Sequence, residues 1–154
     1  MVNKIKFEKT IVALQFIESK LLNIMYKKKL KSIGAILAGI LAGAVLSILT
    51  DYILEVAGFF PEPKQGLFIW WMLLIALMYR GIYTIVSGLI TAVMAPDKPV
   101  QHAILLGIIG VVVSILGTIV NWDKSAAWYP IALILITFPC TWMGGKAYLK
   151  HRKT

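Results

Sequence analysis

Asp51, Glu55 and Arg80 are the residues of this chain whose types and setting ask for chemistry, because each interrupts a long apolar run. A lone charge at a bilayer centre costs about 2.5–3.5 kcal/mol, so each one needs a reason to be there. Asp51 precedes Phe60 by nine residues, about 13 Å along a helix. Arg80 follows Leu67 by thirteen residues, about 20 Å by the same rise. An extended arginine side chain bridges the difference by reaching outward. Glu55 lies one helical turn from Asp51 on the same face. The spacing predicts an Asp51–Arg80 ion pair with Glu55 as a second acceptor. Two chemistries fit it: a pair that locks two helices together, or an outward-facing polar cavity in which Asp51 and Glu55 bind a cation or a proton. Thr50, Tyr79 and Tyr83 are the expected cavity neighbours. A third use, Arg80 holding an anionic lipid or substrate, stays open beside these.

Other candidates carry less. His102 stands beside Asp97 and Lys98, where it reads as a polar helix-end residue at the inner interface or as a proton relay. Cys140 is the single cysteine, which excludes an intramolecular disulfide and suits packing. HExxH, a phosphate-binding glycine loop ending in Lys-Ser/Thr, CxxC and GxSxG are all missing from the sequence. With two histidines and one cysteine, a metal site would have to draw carboxylates from several helices. No enzyme, metal or cofactor is expected.

The elements that must position these residues are apolar and long. Of the 154 residues, 59% are hydrophobic and 15% charged, and the mean hydropathy is +0.81. A soluble domain carries roughly 25% charged residues. The formal charge of +9 is concentrated at the chain ends, which excludes a basic nucleic-acid-binding surface. Four stretches, about 33–59, 67–95, 101–121 and 127–147, are each long enough to cross a hydrocarbon core of about 30 Å. A buried soluble bundle would need polar stripes of helical period that these stretches lack. Pro61 and Pro63, Pro96 and Pro99, and the run Asn121–Ser125 mark short connections. Loops of this length make consecutive spans antiparallel neighbours in an all-α four-helix membrane bundle.

Lysine bias sets the expected orientation. Lysines 4, 6, 9, 20, 27, 28, 29 and 31, then Lys98, Lys146, Lys150, Arg152 and Lys153, fall on one side, against Lys64 and Lys124 on the other. Both termini are therefore expected in the cytoplasm. Trp70, Trp71, Trp122, Trp128 and Tyr129 suit an outer interfacial belt, and Tyr26, Trp142 and Tyr148 an inner one. Residues 1–31 read as a separate amphipathic cytoplasmic segment, with Phe7, Ile11, Leu14, Leu21 and Met25 near helical period. Its lysines would contact anionic inner-leaflet lipids. The alternative is a chain that begins at Met25, since Met25–Lys31 alone has the form of a positive flank. Residues 150–154 form a short basic tail.

Small residues recur at helical spacing. Gly39, Gly43 and Ser47 lead to Asp51 at intervals of four, and Gly107, Gly110, Ser114 and Gly117 share one seam. Close approach of such residues is how helices associate in lipid. The seams serve packing within the bundle, a homo-oligomer or larger membrane complex, or the wall of a pore. Pro139 is expected to kink the fourth span.

The strings 46–63, 79–110 and 128–146 resemble a family of small four-span bacterial membrane proteins of no assigned activity. Thr50-Asp51 with Gly58-Phe59-Phe60-Pro61, Tyr79-Arg80, Ala95-Pro96 with His102-Ala103, and Trp128-Tyr129-Pro130 with Gly144-Gly145-Lys146 carry the likeness. It covers residues 33–146 and implies a four-span fold in the bacterial inner membrane. The lysine-rich extension and Ser87, where a second glycine would precede Gly88, depart from the pattern. Two functions follow: a structural or accessory protein packed through its seams, or a small oligomeric transporter or channel lined by Asp51, Glu55 and Arg80.

Overall fold

The computed structural model describes residues 2–62 and 64–152, with side chains described from residue 14 onward. Phe7, Ile11, Lys4, Lys6, Lys9, Pro63 and Lys153 lie outside the described side chains. Four helices account for nearly all of it: α1 Val2–Val56, α2 Trp70–Met94, α3 Pro99–Val120 and α4 Trp128–Arg152, with a 3-10 turn at Trp122–Lys124. All four are long and apolar enough to cross a membrane. Large apolar side chains such as Leu41, Ile48, Met78, Val113 and Leu135 are exposed along them. In lipid that outward apolar surface needs no partner, and the helical backbone satisfies its own hydrogen bonds.

Helix α1 runs without a break through the boundary expected near residue 31. Its 55 residues span about 82 Å, far beyond a hydrocarbon core of about 30 Å. No proline interrupts it, and its lysine- and leucine-rich middle consists of good helix formers. Within 14–30, Phe16 and Leu30 fall on the face opposite Leu14 and Leu21, so exposed apolar residues surround this stretch rather than forming one stripe. The helix stops at Val56 instead of continuing to residue 59. Gly58 adopts φ +74°, and the amides of Phe59 and Phe60 both reach Leu54 O (2.9 and 3.1 Å), closing the helix end.

The second span starts later than expected, at Trp70, because Leu67 is held extended by a bridge to Ser125 and donates its amide to Lys124 O at 2.8 Å. This ties the 57–69 connection to the one joining α3 and α4. Pro99 opens α3, after Lys98 takes a left-handed φ of 41°. Helix α4 passes through Pro139 as a single element and continues to Arg152.

Helix α2 is central. It packs on α1 and α4, α4 packs also on α3, and the α1–α3 contact is slighter. The α2–α4 contact is the closest: a Cβ on Gly88 would collide with Thr141 O, and one on Gly144 with Ile85 O. Gly107 and Gly110 face Thr141 and Thr137 of α4, while Gly145 faces Ala103 of α3. Gly39 and Gly43 accommodate Thr91 and Ser87 of α2. A small buried cluster of Phe60, Leu73, Ala76 and Tyr129 closes the end of the molecule near the tied connections.

Candidate functional site

The charged residues meet where α1 faces α2. Arg80 Nη2 donates to Asp51 Oδ2 at 2.6 Å, and the Tyr79 hydroxyl donates to Asp51 Oδ1. The adjacent turn adds a Thr50 Oγ1–Tyr83 Oη hydrogen bond of 2.8 Å. The Tyr79 and Tyr83 rings are 5.7 Å apart at a tilt of 50°. Position 51 can accept from both 79 and 80 because its carboxylate has two oxygens, each with its own donor. Thr84 Oγ1 donates to Arg80 O at 2.7 Å and Ser87 Oγ to Tyr83 O at 2.8 Å, so these two hydroxyls are occupied within the helix.

Glu55 does not take the part of second acceptor. Among the described residues its side chain forms no ion pair or hydrogen bond, and Tyr79 supplies the second interaction at Asp51 instead. One turn beyond Asp51, Glu55 lines a cavity instead. Arg80 is itself incompletely satisfied, since its Nε is buried without a partner.

Two cavities adjoin the pair. One of about 480 Å³ opens towards the 57–69 and 121–127 connections, and its wall includes Asp51, Glu55, Glu62, Arg80, Lys124 and Tyr129. The other, of about 440 Å³, follows the α1 seam through Gly39, Gly43 and Ser47 and the α3 seam through Gly110 and Ser114. Asp51, Arg80, Ser114 and Leu133 line both. The Asp51–Arg80 pair thus borders both. It is only partly shielded, with side-chain exposures of 27% and 34% for Asp51 and Arg80.

The seams divide accordingly. Gly107 packs, Gly110 both meets Thr137 and lines the second cavity, and Ser114 and Gly117 line cavity wall, where a Cβ on Gly117 would meet nothing. Ser47 also faces a cavity rather than a helix. His102 sits away from the charges, at the other end of α1–α3: its Nε2 is 2.9 Å from Ser32 Oγ and its Nδ1 3.3 Å from Lys98 O. Beside it Lys28 Nζ and Asp97 Oδ2 form an exposed 3.6 Å pair. Among the described residues no three His, Cys, Asp or Glu side chains converge as metal ligands would.

The sequence reading did not place Tyr129, Phe60 or Lys124 at the site. Tyr129, expected in an interfacial belt, is 7% exposed and lines the first cavity, within electrostatic reach of Arg80 and Asp51. Nothing in spacing separates a belt tyrosine from a cavity tyrosine. Only the docking of α4 on α2 does.

The class these features define is a multi-pass membrane protein, four helices with a charged, cavity-lined centre. No family model, curated protein or solved structure matches the chain.

Proposed function

We propose that the chain is a small solute-binding and translocating protein of a bacterial inner membrane, with Asp51 and Arg80 closing a path between two cavities. The observation that carries this reading is the shared wall: one ion pair borders both cavities. A pair serving adhesion alone would gain from being sealed by apolar side chains, because water and open space weaken it. This one faces open space on both sides.

The reading includes an antiparallel four-span bundle with both termini cytoplasmic. Contacts of Gly39 with Thr91 and of Asp51 with Arg80 support opposite directions for α1 and α2. Those of Ala103 with Gly145 and of Gly110 with Thr137 support the same for α3 and α4. Lysine bias supports the orientation, and the first cavity then opens outward. Four spans seldom enclose a complete path alone, so a homo-oligomer is part of the reading. The α1 helix, with its lysines at 20, 27, 28, 29 and 31, would stand at the anionic inner leaflet.

The test is proton flux into liposomes carrying a trapped pH dye. Protein-containing vesicles should pass protons faster than empty ones, and Asp51→Asn, which frees Arg80 from its partner, should change the rate several-fold. Traces indistinguishable from empty vesicles, together with a monomer in mild detergent, would overturn the reading. The remaining function is then the structural or accessory one. It is favoured by the backbone-close α2–α4 contact at Gly88 and Gly144.

A further inference from the structure

We infer that the first cavity takes a small organic cation of the alkylammonium class, with Glu55 as its counter-ion and Phe60 and Tyr129 as its walls. This rests on the solute-path reading and names the solute's chemistry. The charge inventory of the lining is three carboxylates, Asp51, Glu55 and Glu62, against two cations, Arg80 and Lys124. Asp51 and Arg80 neutralise each other, and Tyr79 adds a further donor to Asp51. What remains available to a ligand is an excess of negative charge, carried by Glu62 and by a Glu55 carboxylate that forms no hydrogen bond or ion pair among the described residues.

A second, independent feature points the same way. Phe60 and Tyr129 are 9% and 7% exposed, both line the cavity, and both belong to the closing cluster that fixes their rings. The Tyr129 hydroxyl has no hydrogen-bond partner among the described residues. An edge-to-face contact with Trp128, at 6.0 Å between centroids, further holds the Tyr129 ring. Fixed aromatic rings in the same wall as an unpaired carboxylate suit a cation that has shed most of its water, because the ring faces carry the negative end of the quadrupole. A hydrated metal ion is a poorer occupant: calcium and magnesium ask for about six or more oxygen ligands, and this wall is largely carbon with two uncommitted carboxylates. An anion would find Arg80 Nη2 held by Asp51 and the unpartnered Nε buried out of its reach, so Lys124 is the more open cation of this wall. At about 480 Å³ the cavity lies within the size range of small-molecule sites.

The experiment is isothermal titration of the full chain in mild detergent with benzyltrimethylammonium, and with benzenesulfonate as a probe of similar shape and opposite charge. The unaltered protein should bind the cation saturably and in preference to the anion. Glu55→Gln should weaken the cation about tenfold, the size of one lost charge partner at a partly desolvated site. Phe60→Leu should weaken it less. Preference for benzenesulfonate, no saturable cation binding at millimolar concentration, or equal binding by a helical Glu55→Gln variant each overturns the inference. The cation-against-anion comparison needs no variant, so a misfolded substitution does not rescue the idea. Proton flux without cation binding removes this inference and leaves the path; cation binding without flux does the reverse.

Discussion

The two sides of α2 differ most at the level of the charged pair. Against α4 it packs backbone to backbone: Gly88 lies on Thr141 and Gly144 on Ile85 and Leu89, with no space for a single added carbon. Towards α1 and α3 its Tyr79, Arg80 and Tyr83 bond Asp51 and Thr50 across the border of the cavities, and the α1–α3 contact there is slight. Small residues thus do two different things in one molecule. On the α4 side they let helices approach, which is how apolar helices associate in lipid. On the α1–α3 side Gly39 and Gly43 still bring α1 close to Thr91 and Ser87, but further along Ser47, Ser114 and Gly117 line cavities. The comparison teaches that a rigid half can hold a charged, loosely packed half in register, and each prediction below breaks or sharpens it.

The largest effect belongs to the rigid half. Gly144→Ala places a methyl group against Ile85 O and Leu89 N, atoms of the α2 backbone that no rotamer change can move. Overpacking of this kind costs about 3 kcal/mol. Thermal unfolding of the purified protein in detergent should show a large drop in Tm, or the variant should fail to accumulate. An unchanged Tm would mean that α2 and α4 are free to separate, and the contrast between the halves would disappear.

A smaller effect is expected at the charged pair. Removing one partner of a fully buried pair costs 3–5 kcal/mol. Asp51 and Arg80 retain 27% and 34% exposure and face cavities, so each of Asp51→Asn and Arg80→Gln should cost about 1–2 kcal/mol after discounting for screening. The double variant should recover part of this, with a coupling on the order of 1 kcal/mol. Denaturation of all four proteins in the same detergent measures it. If Asp51→Asn is as stable as the parent, Asp51 is kept for what passes it rather than for what it holds, which strengthens the proposed path. Full recovery in the double variant moves the pair towards the adhesive role of the rigid half.

How much of this was legible in the sequence differs between the halves. The four apolar helices follow from length and hydropathy, since a helix in lipid needs little more than a run of about 20 apolar residues. Asp51 and Arg80 could be singled out because charge inside such a run is costly. The continuity of α1 was not legible: the lysine cluster at 27–31 looks like a boundary, yet nothing in it stops a helix. Glu55's independence from Arg80 was hidden for another reason. Helical spacing places Glu55 and Asp51 on one face, but which of them a guanidinium reaches depends on how far α2 is shifted along α1. The same holds for Tyr129 and Phe60, whose side chains come to the cavity only through the docking of α4 and the Leu67–Ser125 bridge. Lone spans announce themselves in sequence; their mutual offsets do not.

The smallest expected effect gives the finest contrast. Gly107 and Gly117 belong to one small-residue seam of α3, and in sequence nothing distinguishes them. In the structure a Cβ on Gly107 runs into Thr141 Oγ1, while one on Gly117 meets no atom and projects along the wall of the first cavity. Gly117→Ala should therefore leave the fold intact and raise stability slightly, by about 0.5 kcal/mol, because alanine loses less backbone freedom in a helix than glycine. Thermal unfolding measures this against Gly107→Ala, for which a loss is expected. Equal losses at the two positions would mean that α3 closes on its neighbours along its whole length, and that the space beside Asp51, Glu55 and Arg80 does not persist in the folded protein. Opposite signs would establish that one seam changes its purpose along its length, packing at Gly107 and lining at Gly117.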